Sequence, residues 1–168
     1  LGVIGERKGV YDLLEAIWSG GEEITKNIQL RIGGNKEEDI LQKKIKDYGL
    51  NNCVTFEGFV ADNKKIECLN WADIFILPSY NEGLPKAMSY GCPIISTTVG
   101  GIPAVVKHGV NGYLINPGNI TEIQNAILSF IHNRDKIEKY GRQSLKLINV
   151  FLPETVFRTL CNLYKQLL

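Results

Sequence analysis

The chain has 168 residues, 44% of them apolar and 22% charged, which is enough apolar substance for the core of one ordinary domain and excludes a disordered chain. Nineteen basic against eighteen acidic residues leave a formal charge of +1, so nothing draws the surface towards nucleic acid or an anionic membrane over distance. Apolar runs such as residues 74–78 fall far short of the roughly 20 residues that cross a bilayer, and no charged-then-apolar leader opens the chain.

In chain order, short apolar runs alternate with helical patterns. Residues 1–4, 28–32, 53–56, 74–77, 93–96 and 112–115 read as strands, and their runs are continuous rather than alternating. That pattern means burial on both faces, as in a parallel sheet covered by helices. Between them, Val10, Leu13, Leu14 and Ile17 follow helical spacing, as do Ile123, Ala126, Ile127, Phe130 and Ile131. Asn119 with Glu122 predicts a capped helix start, and Asn35 with Glu38 repeats the spacing. Gly20-Gly21 and Gly49 read as helix stops. Three helical stretches close the chain at residues 120–133, 135–149 and 153–168, the last with an apolar stripe through Val156, Phe157, Leu160, Leu163, Tyr164 and Leu167 that requires a partner surface. The fold class this predicts is α/β: a Rossmann-like, doubly wound parallel sheet of about six strands with helices on both faces, in a single domain over residues 1–168.

Ligands of such sheets bind where strand carboxyl ends run into helix starts. Residues 5–9 meet neither dinucleotide nor Walker spacing, and Arg31-Ile32-Gly33-Gly34 offers no acidic residue to hold a ribose, which disfavours a dinucleotide. Arg7 and Lys8 beside a helix start nevertheless suit a diphosphate, although by themselves they read more readily as an exposed turn. Glu82, after the fourth strand, could accept bonds from sugar hydroxyls or stabilise developing positive charge, or simply cap a helix. Cys53, Cys68, Cys92 and Cys161 form no C-x-x-C pair; they read as reduced core residues of a cytoplasmic protein, not zinc ligands. His108 and His132 take no catalytic role.

Taken together the motifs are specific. Lys8-Gly9 with Asp12-Leu13-Leu14, then Trp71-Ala72-Asp73 running to Pro78-Ser79, Asn81-Glu82-Gly83-Leu84-Pro85, Ala87-Met88-Ser89-Tyr90-Gly91, Val99-Gly100-Gly101-Ile102-Pro103 and Gly109-Val110-Asn111-Gly112 resemble, in order, the retaining glycosyltransferases of family 4. The resemblance covers nearly the whole chain and corresponds to the nucleotide-sugar-binding C-terminal half of a two-domain GT-B enzyme. It implies a missing N-terminal acceptor domain and a first strand cut short. It also implies a UDP- or GDP-sugar donor, a glycan or lipid-linked acceptor, and transfer with retention, without a cofactor or bound metal. Lys8 would neutralise the donor diphosphate, and Glu82 would contact the donor sugar. Gly83 and Leu84 would bring backbone to the donor, with Ser79 and Asn81 supporting their loop. Gly33, Asn35 and Val60 would lie beside the base. The intact enzyme could associate peripherally with the inner face of a membrane in capsule or exopolysaccharide assembly.

The chain also departs from the family. Val3 and Ile4 stand where many relatives carry an arginine, so Arg7 is the candidate second cation. The second family glutamate is replaced by Tyr90 when counted from Glu82, or by Lys86 when the following motif is aligned. Residues 86–90 supply about five residues for a crossover that needs around eleven in helical form, so either the loop there is irregular or, the favoured expectation, residues are missing between Leu84 and Ala87. Two other readings remain: a catalytically degenerate nucleotide-sugar-binding module and, last, a non-hydrolysing epimerase.

Overall fold

The computed structural model describes residues 2–80, 86–151 and 153–166. Strand β1 (Gly2–Val3) leads through a 3₁₀ turn at Glu6–Lys8 into α1 (Val10–Ser19) and the short α2 (Gly21–Thr25). Next come β2 (Leu30–Ile32), β3 (Gly34–Asn35), α3 (Glu38–Asp47), β4 (Val54–Phe56), α4 (Asp62–Trp71) and β5 (Phe75–Leu77). A second 3₁₀ turn, Lys86–Tyr90, precedes β6 (Ile94–Thr97), α5 (Ile102–Val105) and β7 (Gly112–Ile115). The chain then turns fully helical, with α6 (Ile120–His132), α7 (Asp135–Ile148) and α8 (Pro153–Gln166).

Among the described residues every strand pairing is parallel: β1 with β3, β2 with β4, and β5–β6–β7 in that order. Parallel pairing requires crossovers, and helices supply them between most consecutive strands. The fold class is therefore the α/β arrangement the apolar runs imply. All four residues of β6 are buried, as a strand covered on both faces must be.

Two local expectations are corrected. The second apolar run does not end at residue 32. It continues past Gly33 into β3, because Gly34 and Asn35 pair with Gly2 and Val3 while β2 pairs with β4. Asn35 consequently does not cap a helix. Its carbonyl accepts the Ile4 N–H at 2.9 Å, and the residue before α3 is Glu37, whose side chain makes no capping bond. Gly20 does end α1 as expected, capping it after Ser19, and α2 begins directly at Gly21. The cap at Asn119 is present: its Oδ1 accepts the Glu122 N–H at 3.1 Å, and its Nδ2 donates to the Glu122 carboxylate at 2.8 Å.

Two apolar clusters hold the layers together. One joins Leu14 and Ile17 of α1, Ile24, Leu41, Ile95, Ile123, Ile127 and Phe130. The other joins Met88, Ile94, Ile102, Val105 and Val106. Each fully buried side chain of this size contributes about 1.5–3 kcal/mol of transfer free energy. Cys53, Cys68 and Cys92 are buried and unbridged, and burial raises the Cys92 thiol to about 11. His108 and His132 are exposed; His132 meets Glu23 at 2.7 Å.

Candidate functional site

Because the strands are parallel, the segments that follow them share one edge. The loop after β1 and the loop after β5 are laced together there. The Arg7 carbonyl accepts both the Tyr80 N–H at 2.9 Å and the Ser79 hydroxyl at 3.1 Å. Ser79 is fully buried, and its own carbonyl accepts the Thr97 hydroxyl at 2.6 Å. One chain of bonds thus ties together the ends of β1, β5 and β6. Gly9 makes the approach possible. It sits at φ 64, and a Cβ there would collide with the Pro78 carbonyl oxygen.

The other half of the edge is built the same way. Gly2 N donates to Gly33 O at 2.9 Å, and Gly34 N donates to Gly58 O at 2.8 Å. These bonds put the segment carrying Gly33 and Asn35 between β1 and the turn that runs on to Val60. Gly33 is buried, Val60 half-buried and Asn35 exposed. Arg7 is exposed and Lys8 half-buried, in the 3₁₀ turn between the two halves. Arg7, Lys8, Gly33, Asn35, Val60 and Ser79 are therefore gathered at one end of the strands. Asn81, Glu82, Gly83 and Leu84 lie outside the described residues, and so does the spacing across Leu84–Ala87. The described chain reaches Tyr80, bonded to Arg7.

Sequence reasoning missed the polar residues around this edge. Tyr80 donates its hydroxyl to Asp12 at 2.8 Å, and Tyr11 donates to Glu37 at 2.6 Å. Both phenols are held above their ordinary pKa: Tyr80 first by its hydrogen bond to Asp12, Tyr11 first by burial and then by Glu37. Helical spacing of Tyr11 and Asp12 on α1 was visible, but their partners come from distant segments that only the tertiary fold supplies. Beside the turn to Val60, Glu57 faces Arg31 at 3.5 Å and Lys64 at 3.4 Å, with the Arg31 guanidinium 4.0 Å above the Trp71 ring.

This architecture has known counterparts. The family model for glycosyl transferases group 1 matches residues 1–146. The chain belongs to that family. Among group 1 relatives, the 2-deoxystreptamine N-acetyl-D-glucosaminyltransferase of Niallia circulans is 29% identical over 178 residues, covering 98% of this chain and 43% of the relative. That alignment is longer than the chain, so the relative carries residues this chain lacks within the shared stretch. The C-terminal domain of the group 1 protein LpcC from Francisella tularensis superposes with a TM-score of 0.77 at 26% identity, over 89% of this chain and 82% of that one. Anabaena Alr3699/HepE, solved in complex with UDP, gives a TM-score of 0.81 at 23% identity over 98% of this chain and 48% of that one, a likeness of fold. The chain spans less than half the length of the curated relatives it matches. Among the described residues no helix is long and apolar enough to cross a membrane.

Proposed function

We propose that this chain is the donor-binding domain of a retaining, family 4 glycosyltransferase that takes a UDP- or GDP-sugar. The observation that carries the reading is the laced edge, where Arg7 and Lys8 stand on a turn bonded to the loop that leads into Asn81-Glu82-Gly83-Leu84. Cations and backbone N–H groups at that edge would neutralise the donor diphosphate and the charge that grows on it as the glycosidic bond breaks. Lys8 is the principal cation and Arg7 the second. Glu82 is the carboxylate that orients the sugar and offsets oxocarbenium-like charge. Gly33, Asn35 and Val60 form the base side, and no metal is required. The acceptor, the second half of the cleft and any membrane contact belong to a further domain, so this chain alone binds donor and transfers poorly.

Calorimetric titration with UDP, GDP and their sugars tests this. Binding of one nucleotide in the micromolar-to-millimolar range is expected, unchanged by EDTA and weakened about tenfold by Lys8→Ala. Arg7→Ala should weaken it as well; unchanged affinity would remove Arg7 from the site. The replacement of the second family glutamate by Lys86 or Tyr90 favours one alternative, a module that binds donor in the intact protein without turnover. Transfer assays on the full-length protein separate the two. Failure to bind any of these nucleotides at millimolar levels would sink both.

A further inference from the structure

One cluster of polar and titratable groups stands apart from the laced edge. Tyr113 lies in the amino half of β7, and the edge is at the other end of that strand, where Ile115 O accepts the Thr98 N–H at 3.2 Å. The Tyr113 hydroxyl oxygen is 2.6 Å from that of Ser129, near the end of α6. Lys136, in the first turn of α7, donates to both oxygens, at 3.1 Å to Tyr113 and 2.7 Å to Ser129. All three residues are half-buried.

No negative charge balances this ammonium. Among the described residues Lys136 bonds only to the two hydroxyls; its neighbours Asp135 and Glu138 are exposed, and Glu138 pairs with Arg142 at 3.1 Å. Aromatic packing holds the Tyr113 ring in place beside it. Phe130 and Tyr140 stand 5.3 and 5.9 Å from that ring, and His108, from the loop ahead of β7, meets it edge-on at 5.4 Å. The groups around the oxygen are thus Ser129 from α6, Lys136 and Tyr140 from α7, and His108, and none of them is an acid. Burial opposes ionisation of Tyr113, but hydrogen bonding to Ser129, Lys136 and Tyr140 outweighs it and holds the phenol below its ordinary value. Burial and then Tyr113 push Tyr140 up to about 12, so Tyr113 is the phenol of the pair that ionises first.

We propose that Tyr113 is a nucleophilic phenol, a covalent modification site that takes an acyl group from an activated acyl donor of the acyl phosphate or thioester class. A phenolate is a hard oxygen nucleophile, and the ammonium and hydroxyl beside it are donors for the oxygen that gains charge when a carbonyl is attacked. The Tyr113 oxygen attacks the acyl carbon, and the carbon–oxygen bond of a phenyl ester forms as the bond from that carbon to the leaving group breaks. The leaving group departs with the electron pair of the broken bond, and the phenol proton passes by way of Ser129 to solvent. Lys136 stays protonated throughout. This inference rests on the cluster alone and is independent of the donor reading.

The test is brief treatment of the chain with N-acetylimidazole, followed by peptide mass mapping. Exposure alone favours Tyr164 and Tyr80, which are more open than Tyr113. The acetyl group should instead appear first on Tyr113, about threefold faster or more than on Tyr164, and hydroxylamine should remove it, as it cleaves a phenyl ester and not an amide. In the parent chain, which needs no substitution to fold, the rate at Tyr113 should level off at a lower pH than the rate at Tyr164. Lys136→Met should slow labelling of Tyr113 by about tenfold and leave Tyr164 unchanged. Labelling in order of exposure would overturn the proposal, as would a Tyr113 rate indifferent to Lys136→Met. A first acetyl group on Ser129, or a hydroxylamine-resistant one on Lys136, would overturn it too, because another member of the cluster would then be the nucleophile.

Discussion

At the scale of single residues, the laced edge depends on the absence of one methyl group. Gly9 follows the Arg7-Lys8 turn in the left-handed region and lies against the Pro78 carbonyl. Gly9→Ala therefore meets both backbone strain and a collision with main chain that cannot swing away. Urea unfolding should show a loss of about 2–4 kcal/mol; a loss under about 0.5 kcal/mol would mean that the two loops separate without cost. The two phenols at this edge make a second, pH-dependent prediction. Tyr11 and Tyr80 both have pKa values raised in the folded chain, so folding favours their neutral forms. The stability they contribute is complete below the unfolded value near 10 and is lost as pH rises beyond it towards the folded values. A Tyr11→Phe, Tyr80→Phe variant should be less stable than the parent at pH 8, and the gap should narrow steadily above pH 10. A gap that stays constant to pH 12 would show that the phenols do not titrate differently on folding.

At the scale of elements, the apolar runs and helical periods were legible because each reflects a local requirement, burial on two faces or on one stripe. The capped start of α6 was legible for the same reason: Asn119 and Glu122 satisfy each other within one turn. Asn35 and Glu38 show the same spacing without the cap, because strand pairing with β1 claims the backbone at Asn35 first. Close approaches between distant elements left no such mark. Gly141 lies inside α7, where alanine would ordinarily be favoured by about 1 kcal/mol. Here a Cβ would strike the Gly91 carbonyl oxygen at the end of the Lys86–Tyr90 turn. Contact therefore reverses the sign of the propensity. Gly141→Ala should lower stability by about 1–3 kcal/mol by denaturant unfolding, and a gain would show that α7 is free to shift away from that turn.

At the scale of the whole molecule, the common edge of the described candidate residues was legible, since parallel strands must bring their following loops to one edge. Ser79 and Arg7, distant in sequence, meet there through a backbone carbonyl, a contact no residue type announces. The last helix is a case where sequence and structure agree on an incomplete surface. Val156, Phe157, Leu160 and Tyr164 of α8 are 41%, 70%, 49% and 67% exposed, and neither apolar cluster includes a described residue of α8. Its principal contact is with the short turn Asn149–Phe151 just before it. An amphipathic helix whose described apolar residues bury so little adds little to folding, since helix stability in proteins comes chiefly from packing. Ending the chain after Phe151 should therefore move the melting temperature by less than about 3 °C, in either direction. A fall of about 10 °C would mean that α8 shields the face of α7 and Ile148 more closely than its exposure indicates, and that it belongs to the folding unit.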